Sequence, residues 1–157
     1  MLDVTKWKAV ATDTAPFGHL LLISLGTLRC YGIRVYESDL LGLNVQRADG
    51  IAAVALIADK AAELGAARVC DVGPAVVQWP ENWSDVSEKD VAPGEVLLGE
   101  KGISIAGSMR TNECRAWVVA DGKRHSPKDA LYRISTWEIG VRDNEGRFTR
   151  VLGFSPK

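Results

Sequence analysis

The sequence predicts an α+β protein in which a single, mostly antiparallel mixed β-sheet packs against one main helix. Short apolar segments separated by glycine, proline and asparagine turns are typical of strands. Residues 49–64, in contrast, repeat apolar side chains at helical spacing. A length of 157 residues corresponds to one globular domain, here 1–157, with enough chain to bury a core.

The main helix is predicted over residues 49–64. Asp49 is a suitable N-cap because its carboxylate can accept hydrogen bonds from the free amides of the first turn. Gly65 stands where a left-handed C-cap is expected. The apolar positions at helical spacing are Ile51, Val54, Ala55, Ala58, Ala61 and Ala62.

Strands are predicted on both sides of this helix. The segments are 6–12, 19–28 and 30–36 before it, and 67–72 and 75–79 after it. The last two are separated by Gly73 and Pro74, and a proline at this place indicates a bend or an edge rather than one central strand. Residues 80–94 are polar and predict a long solvated loop, the best candidate for a mobile flap or a partner segment.

The C-terminal third has the pattern of a β-meander. Its predicted strands are 96–98, 103–109 and 115–120. Ser126 and Pro127 are a cap residue and a proline at the first helical position, which predicts a short second helix over about 126–134. A C-terminal β-hairpin follows, with strands at 136–142 and 147–154.

Composition and cysteine content exclude several classes. With 46% hydrophobic and 25% charged residues the chain is typical of globular proteins, and no apolar run is long enough to span a membrane. The first 15 residues lack a secretory pattern. Cys30, Cys70 and Cys114 are odd in number and far apart, which favours reduced thiols and a soluble, cytoplasmic protein.

The charges divide unevenly along the chain. Acidic residues exceed basic ones in the first 100 positions, and basic residues exceed acidic ones after them. A basic C-terminal surface for an acidic partner is one interpretation, and packing of the two halves against each other is the other. Because there is no run rich in lysine and arginine, the second is favoured and a nucleic-acid partner is not expected.

Common catalytic and cofactor motifs are missing. Gly102 and Gly107 have P-loop spacing, but the lysine and hydroxyl residue that should follow are absent. No pair of histidines or cysteines has metal-ligand spacing, so neither a metal nor a cofactor is expected. His19, inside an apolar run, is interpreted as a hydrogen-bonded core or strand-end residue, and His125 as part of a solvated basic turn.

Tryptophan gives the strongest signal for a binding site. Trp79 and Trp83 flank a proline turn beside the long polar loop, where an indole can line a pocket. The other three, Trp7, Trp117 and Trp137, lie in strand-like segments and are interpreted as core or sheet-face residues.

Several segments between residues 17 and 120 follow the order of a known enzyme family. They are Ile23-Ser24-Leu25, the helix at 49–64, Gln78-Trp79-Pro80-Glu81-Asn82, Ile103-Ser104-Ile105-Ala106-Gly107-Ser108-Met109 and Trp117-Val118-Val119. In this order the chain resembles the later part of the catalytic domain of biotin and lipoate protein ligases. The glycine- and arginine-rich adenylate loop is missing, and Gln78 and Ser104 stand where that family has lysines. An adenylating enzyme needs such cations, so the resemblance implies a degenerate, ligand-binding relative.

The first functional hypothesis is therefore non-catalytic binding of a small molecule in a tryptophan-lined pocket. The predicted pocket lies between the 49–64 helix, the turn at 79–83 and the hairpin at 102–107, and the 84–94 loop closes it. The candidate ligand-binding residues are Trp79, Glu81, Asn82, Trp83, Ser104 and Arg110.

Two other hypotheses remain. The chain could be a protein-interaction or assembly module, with a homodimer formed through the C-terminal hairpin and its arginines, Arg142, Arg147 and Arg150. The third hypothesis is a degenerate ligase-like enzyme whose catalytic residues the sequence does not identify.

Overall fold

The computed structural model describes residues 7–36, 39–46, 52–57, 67–80, 84–85, 90–109 and 111–155. In this part of the chain the regular structure includes fifteen strands and the 3-10 turn Pro127–Asp129. The strands are β1 (Lys8–Val10), β2 (His19–Leu25), β3 (Leu28–Arg34), β4 (Leu40–Gln46), β5 (Ala52–Leu56), β6 (Arg68–Pro74), β7 (Val76–Gln78), β8 (Ser84–Asp85), β9 (Val96–Gly99), β10 (Gly102–Ser108), β11 (Cys114–Val118), β12 (Arg124–His125), β13 (Tyr132–Ile134), β14 (Trp137–Arg142) and β15 (Phe148–Phe154).

The predicted α+β class is wrong, because the centre of the predicted 49–64 helix is a strand. Residues 52–56 form β5, which pairs antiparallel with β4 and meets β10 through Ser108. Residues 52–56 are a short apolar run that spacing alone cannot assign to a helix or a strand, and pairing with β4 makes it a strand. The other residues of the predicted helix, apart from Ile57, lie outside the described ranges.

The predicted second helix at 126–134 is also wrong beyond its first turn. Ser126 does cap the turn, since its hydroxyl accepts a hydrogen bond from the amide of Lys128, and Pro127 opens it as expected. The chain then leaves the helical path, and β13 pairs with β9 on one side and β8 on the other. The capping signals fix where a turn begins, but strand pairing decides where it ends.

The expected single sheet is replaced by two. The larger has twelve strands among the described residues, in the order β1-β6-β2-β3-β4-β5-β10-β9-β13-β8, with β11 beside β10 and β12 beside β11. Its neighbours are antiparallel except β5 and β10. The smaller sheet has the order β15-β14-β7 and contains the predicted C-terminal hairpin.

One continuous segment connects the two sheets. β6 pairs with β1 and β2 in the large sheet, and after Pro74 the chain continues as β7 in the small one. Gly73 has φ of 133°, a conformation that glycine adopts without strain. The predicted bend at Pro74 is thus confirmed, and it is a corner at which the chain changes sheets.

The main core fills the space between the sheets. Leu20, Ile33 and Ile105 of the large sheet belong to the same buried cluster as Trp137 and Ile139 of the small one. Interdigitation of two inner faces is the usual way in which packed sheets form a core. The small sheet is therefore held in place by apolar contact as well as by the corner at Pro74.

The segment at 80–94, predicted to be a solvated loop, is largely anchored where it is described. Ser84 and Asp85 form β8. Arg133 donates through Nη1 to the carbonyl oxygen of Asp90 at 2.8 Å, and Trp137 donates through Nε1 to that of Gly94 at 2.7 Å. Residues 81–83 and 86–89 of this prediction lie outside the described ranges.

The turn of the C-terminal hairpin is organised by Asp143. Its Oδ1 accepts hydrogen bonds from the amides of Glu145 and Arg147, both at 2.9 Å, and its Oδ2 accepts from Nε of Arg147 at 3.2 Å. The hydrogen bond from the Arg147 amide, helped by that from Glu145 and by the Arg147 charge, lowers the pKa of the Asp143 carboxyl.

Asp143→Asn is expected to destabilise the protein slightly at neutral pH and not at strongly acidic pH. The pKa is lower in the folded state, so the stabilisation is present above the unfolded-state pKa and is lost as pH falls through the folded one. Thermal melts of the wild type and the variant at neutral pH and at about pH 2 measure the difference. A difference that does not change with pH would contradict the role given to the charge.

Candidate functional site

A cleft of about 530 Å³ lies where the end of β7 meets the C-terminal hairpin. It is lined by residues 78–80 at the end of β7, 136–138 at the start of β14, and Arg150 with residues 153–155 at the end of β15. Glu138 pairs with Gln78 on one side and with Gly153 on the other, so these three positions form one row across the small sheet. The cleft is therefore built by strand pairing rather than by a loop.

Stacked and hydrogen-bonded aromatic rings form the apolar wall of the cleft. Trp137 and Phe154 are cross-strand partners whose rings stack, with centroids 4.2 Å apart and planes 10° from parallel. Trp137 is buried, and its Nε1 is held by the hydrogen bond to Gly94. Trp79 and Pro80 lie on the β7 side, and the Trp79 ring is half-buried.

The polar wall carries one acid and one base. Nε of Arg150 lies 3.8 Å from Oε2 of Glu138, and the two side chains are 64% and 37% exposed. Gly153 permits this arrangement, because a Cβ there would come within 2.5 Å of Nη2 of Arg150. An exposed pair of this length contributes at most about 1 kcal/mol to stability, so both groups can turn to a ligand at small cost.

A second cavity, of about 340 Å³, contains a buried serine–histidine pair. Oγ of Ser104 lies 2.7 Å from Nε2 of His125, and Nδ1 of His125 lies 2.9 Å from the carbonyl oxygen of Ser126. Ser104 and His125 are both buried. The interpretation of His125 as a solvated turn residue is therefore wrong, because β12 pairs with β11 and places the imidazole over the sheet.

The structure separates the predicted ligand-binding residues. Trp79 lines the cleft at the C-terminal hairpin, and Ser104 lines the second cavity. The other four predicted residues, Glu81, Asn82, Trp83 and Arg110, lie outside the described ranges. The residues that the sequence did not suggest for the cleft are Trp137, Glu138, Arg150 and Phe154. Only the pairing of β14 with β7 brings these four residues close to Trp79. No local sequence pattern predicts that pairing.

His19 occupies a polar niche at the sheet corner. Its Nδ1 lies 2.8 Å from Oδ1 of Asp71, and the same oxygen accepts a hydrogen bond from the amide of Gly73 at 3.0 Å. The interpretation of His19 as a hydrogen-bonded strand-end residue is confirmed, since it is the first residue of β2.

The two sheets make the described part of the chain a mostly β protein, and the small sheet carries the aromatic cleft. Comparison with protein-family models, with curated proteins and with solved structures finds no match in any of the three. Across the described ranges no helix is long and apolar enough to cross a membrane. Nor do any three histidine, cysteine or acidic side chains in those ranges come together as a metal-binding group.

Proposed function

We propose that this protein binds a small, partly aromatic molecule in the cleft lined by Trp79. The observation that carries the proposal is the fixed Trp137–Phe154 stack beside an open cleft of about 530 Å³. Small-molecule sites are apolar concavities of about 300–1,000 Å³ with a few polar groups that orient the ligand. The cleft has this size, an aromatic wall and one acid–base pair.

The ligand class follows from the lining. The partly exposed rings of Trp79 and Phe154 favour a flat ring, which stacks on them with little loss of conformational entropy, while the buried Trp137 supports Phe154 from behind. Arg150 presents planar donors that suit a carboxylate or carbonyl group, and Glu138 accepts from an amine or hydroxyl group. We therefore expect a compact amphipathic molecule that carries both kinds of polar group.

Replacing Trp79 with alanine is expected to weaken binding by roughly tenfold, since the lost stacking contributes about 0.5–1.5 kcal/mol in addition to the apolar area that the indole covers. The probes are phenylalanine, biotin, lipoate and ATP, which are screened first by thermal shift. Titration of a stabilising probe, followed by tryptophan fluorescence or calorimetry, then compares the wild type with the variant.

A matched pair of arginine variants tests the polar wall. Arg150→Gln should weaken binding of a carboxylate probe, whereas Arg147→Gln should leave it unchanged, because Arg147 lies in the same hairpin but outside the cleft. If no probe shifts the melting temperature, or if a bound probe is insensitive to both Trp79→Ala and Arg150→Gln, the cleft is not the binding site.

The alternative function is assembly through the C-terminal hairpin. β15 pairs with β14 on one edge, and no strand from the described ranges pairs with its other edge. Such an edge can template pairing with a second copy or another protein. A homodimer of this kind should dissociate when Arg147 and Arg150 are both replaced by glutamate, as measured by light scattering after size exclusion. An unchanged mass counts against this interface.

The three cysteine thiols indicate the cellular compartment in which the protein functions. Cys30 is buried and free, and burial raises its pKa to about 11, so it stays protonated and unreactive at neutral pH. Cys70 and Cys114 are also free. We propose a reducing, cytoplasmic location, which a functional fusion imaged in cells would test.

A further inference from the structure

The cavity that contains Ser104 is separate from the cleft that contains Trp79. The two have no lining residue in common. The cavity lies over the face of β9, β10 and β11 that points away from the main core, where the buried neighbours are Leu97, Ala106, Ala116 and Ala130. The small alanine side chains leave space above the sheet. Ser104 and His125 are the buried polar groups that line the cavity, and the same face of the sheet also carries the buried Arg133–Glu95 pair outside it.

The hydrogen bonds of His125 fix its role toward Ser104. Nδ1 faces the carbonyl oxygen of Ser126, which can only accept, so Nδ1 carries the hydrogen. In the neutral ring Nε2 is then an acceptor, and the Ser104 hydroxyl donates to it across 2.7 Å. A hydroxyl, a base within hydrogen-bond reach and a third group that orients the base are the components of an activated serine nucleophile.

We propose that Ser104 is a nucleophile, activated by His125, that attacks small uncharged carboxylic esters. Oγ forms a bond to the acyl carbon while its proton passes to Nε2 of His125. The tetrahedral intermediate then expels the alcohol, which takes that proton, and leaves an acyl group on Ser104. Water, deprotonated by His125, releases the acid and restores the hydroxyl.

The lining of the cavity indicates this substrate class. Its volume of about 340 Å³ limits the substrate to a small molecule. Glu100 and Asp129 line the cavity together with Lys101, so its wall carries a slight negative excess that disfavours anions. The Lys101 ammonium is the cationic side chain available to a developing oxyanion. Gly99 and Gly102 present backbone without side chains at the same wall.

The test is covalent labelling of the complete protein with a small uncharged alkyl fluorophosphonate. Oγ of an activated serine displaces fluoride from phosphorus, and its proton passes to the base. We expect one adduct in the intact mass, mapped by peptide sequencing to Ser104. His125→Gln should slow labelling by about 10²–10⁴-fold, the usual contribution of a positioned base, and Ser104→Ala should abolish it.

Ser108 provides the matched control. It lies on the same strand four residues on, and its hydroxyl donates to the carbonyl oxygen of Val54 rather than to a histidine. Ser108→Ala should label at the wild-type rate, and circular dichroism confirms that each variant is folded. A hydrogen-bonded pair with a purely structural role predicts no adduct on Ser104. The absence of that adduct in the wild type, or a rate insensitive to His125→Gln, overturns the proposal whether or not Ser104→Ala folds.

Discussion

Replacing Arg133 with methionine is expected to lower the free energy of unfolding by about 3–5 kcal/mol, the usual cost of leaving one member of a buried ion pair alone. The Arg133 side chain is 3% exposed, and its Nη1 lies 3.4 Å from Oε1 of Glu95. The same nitrogen donates to the carbonyl oxygen of Asp90, and Nε donates to Oγ of Ser84 at 3.3 Å. The variant would leave Glu95 as a buried carboxylate without its cation. Denaturation in urea, monitored by tryptophan fluorescence, measures the loss.

A double variant separates the ion pair from packing. Arg133→Met combined with Glu95→Leu removes both charges, so it should be clearly more stable than Arg133→Met alone. The double variant should still be less stable than the wild type, because Glu95 also accepts a hydrogen bond from the amide of Ala92 at 2.6 Å. The exposed Arg142→Met is the control for loss of an arginine. If Arg133→Met costs no more than that control, the buried pair does not stabilise the fold.

Gly140→Ala is expected to cost about 3 kcal/mol or more, at the upper end of the range for overpacking, because the obstacle is backbone that cannot rotate away. A Cβ at this position would overlap the carbonyl oxygen of Thr149 and come within 3.0 Å of Cα of Arg150. Gly140 also lies where the register between β14 and β15 shifts. The free energy of unfolding measured in urea gives the magnitude.

Gly99→Ala is the matched control for Gly140→Ala. Its Cβ would meet Cα of Ala130 and the carbonyl oxygen of Asp129 at 3.4 Å, an ordinary contact. This variant should therefore lose little stability. Because the strain at Gly140 pushes β15 away from β14, Gly140→Ala should also weaken any probe bound between Trp79 and Arg150. Equal stabilities of the two variants would contradict this account.

The local patterns predicted strands well and the class of fold poorly. The hairpin at the C-terminus and the bend at Pro74 depend on turn residues close in sequence, and both are present. The prediction of a helix at 49–64 is wrong because a short run of alanine, valine and leucine satisfies helical spacing and also suits a strand such as β5. The second helix failed because Tyr132–Ile134 gains more from pairing with β9 than from continuing the turn.

The candidate sites show the same limit. The proline turn indicates Trp79, but its neighbours Trp137 and Arg150 come from strands far along the chain. The family resemblance indicates Ser104, but its contact with His125 requires the β10–β11–β12 arrangement. The packing of the whole core decides which strands pair when they are far apart in sequence. No short stretch of a single sequence indicates that pairing.

The passage of one segment through two sheets sets an order of folding. β6 can pair with β1 and β2 as soon as β6 itself has been synthesised, because both partners precede it, but the partner of β7 is β14, near the end of the chain. Contacts between residues far apart in sequence require closure of a long loop, and this costs entropy before the contact contributes any stability. Such contacts therefore form late. During synthesis the edge of β7 and the adjacent Trp79 would remain uncovered until the C-terminal hairpin emerges. A nascent chain stalled before Trp137 should therefore bind chaperones or aggregate, whereas one released after Phe154 should not.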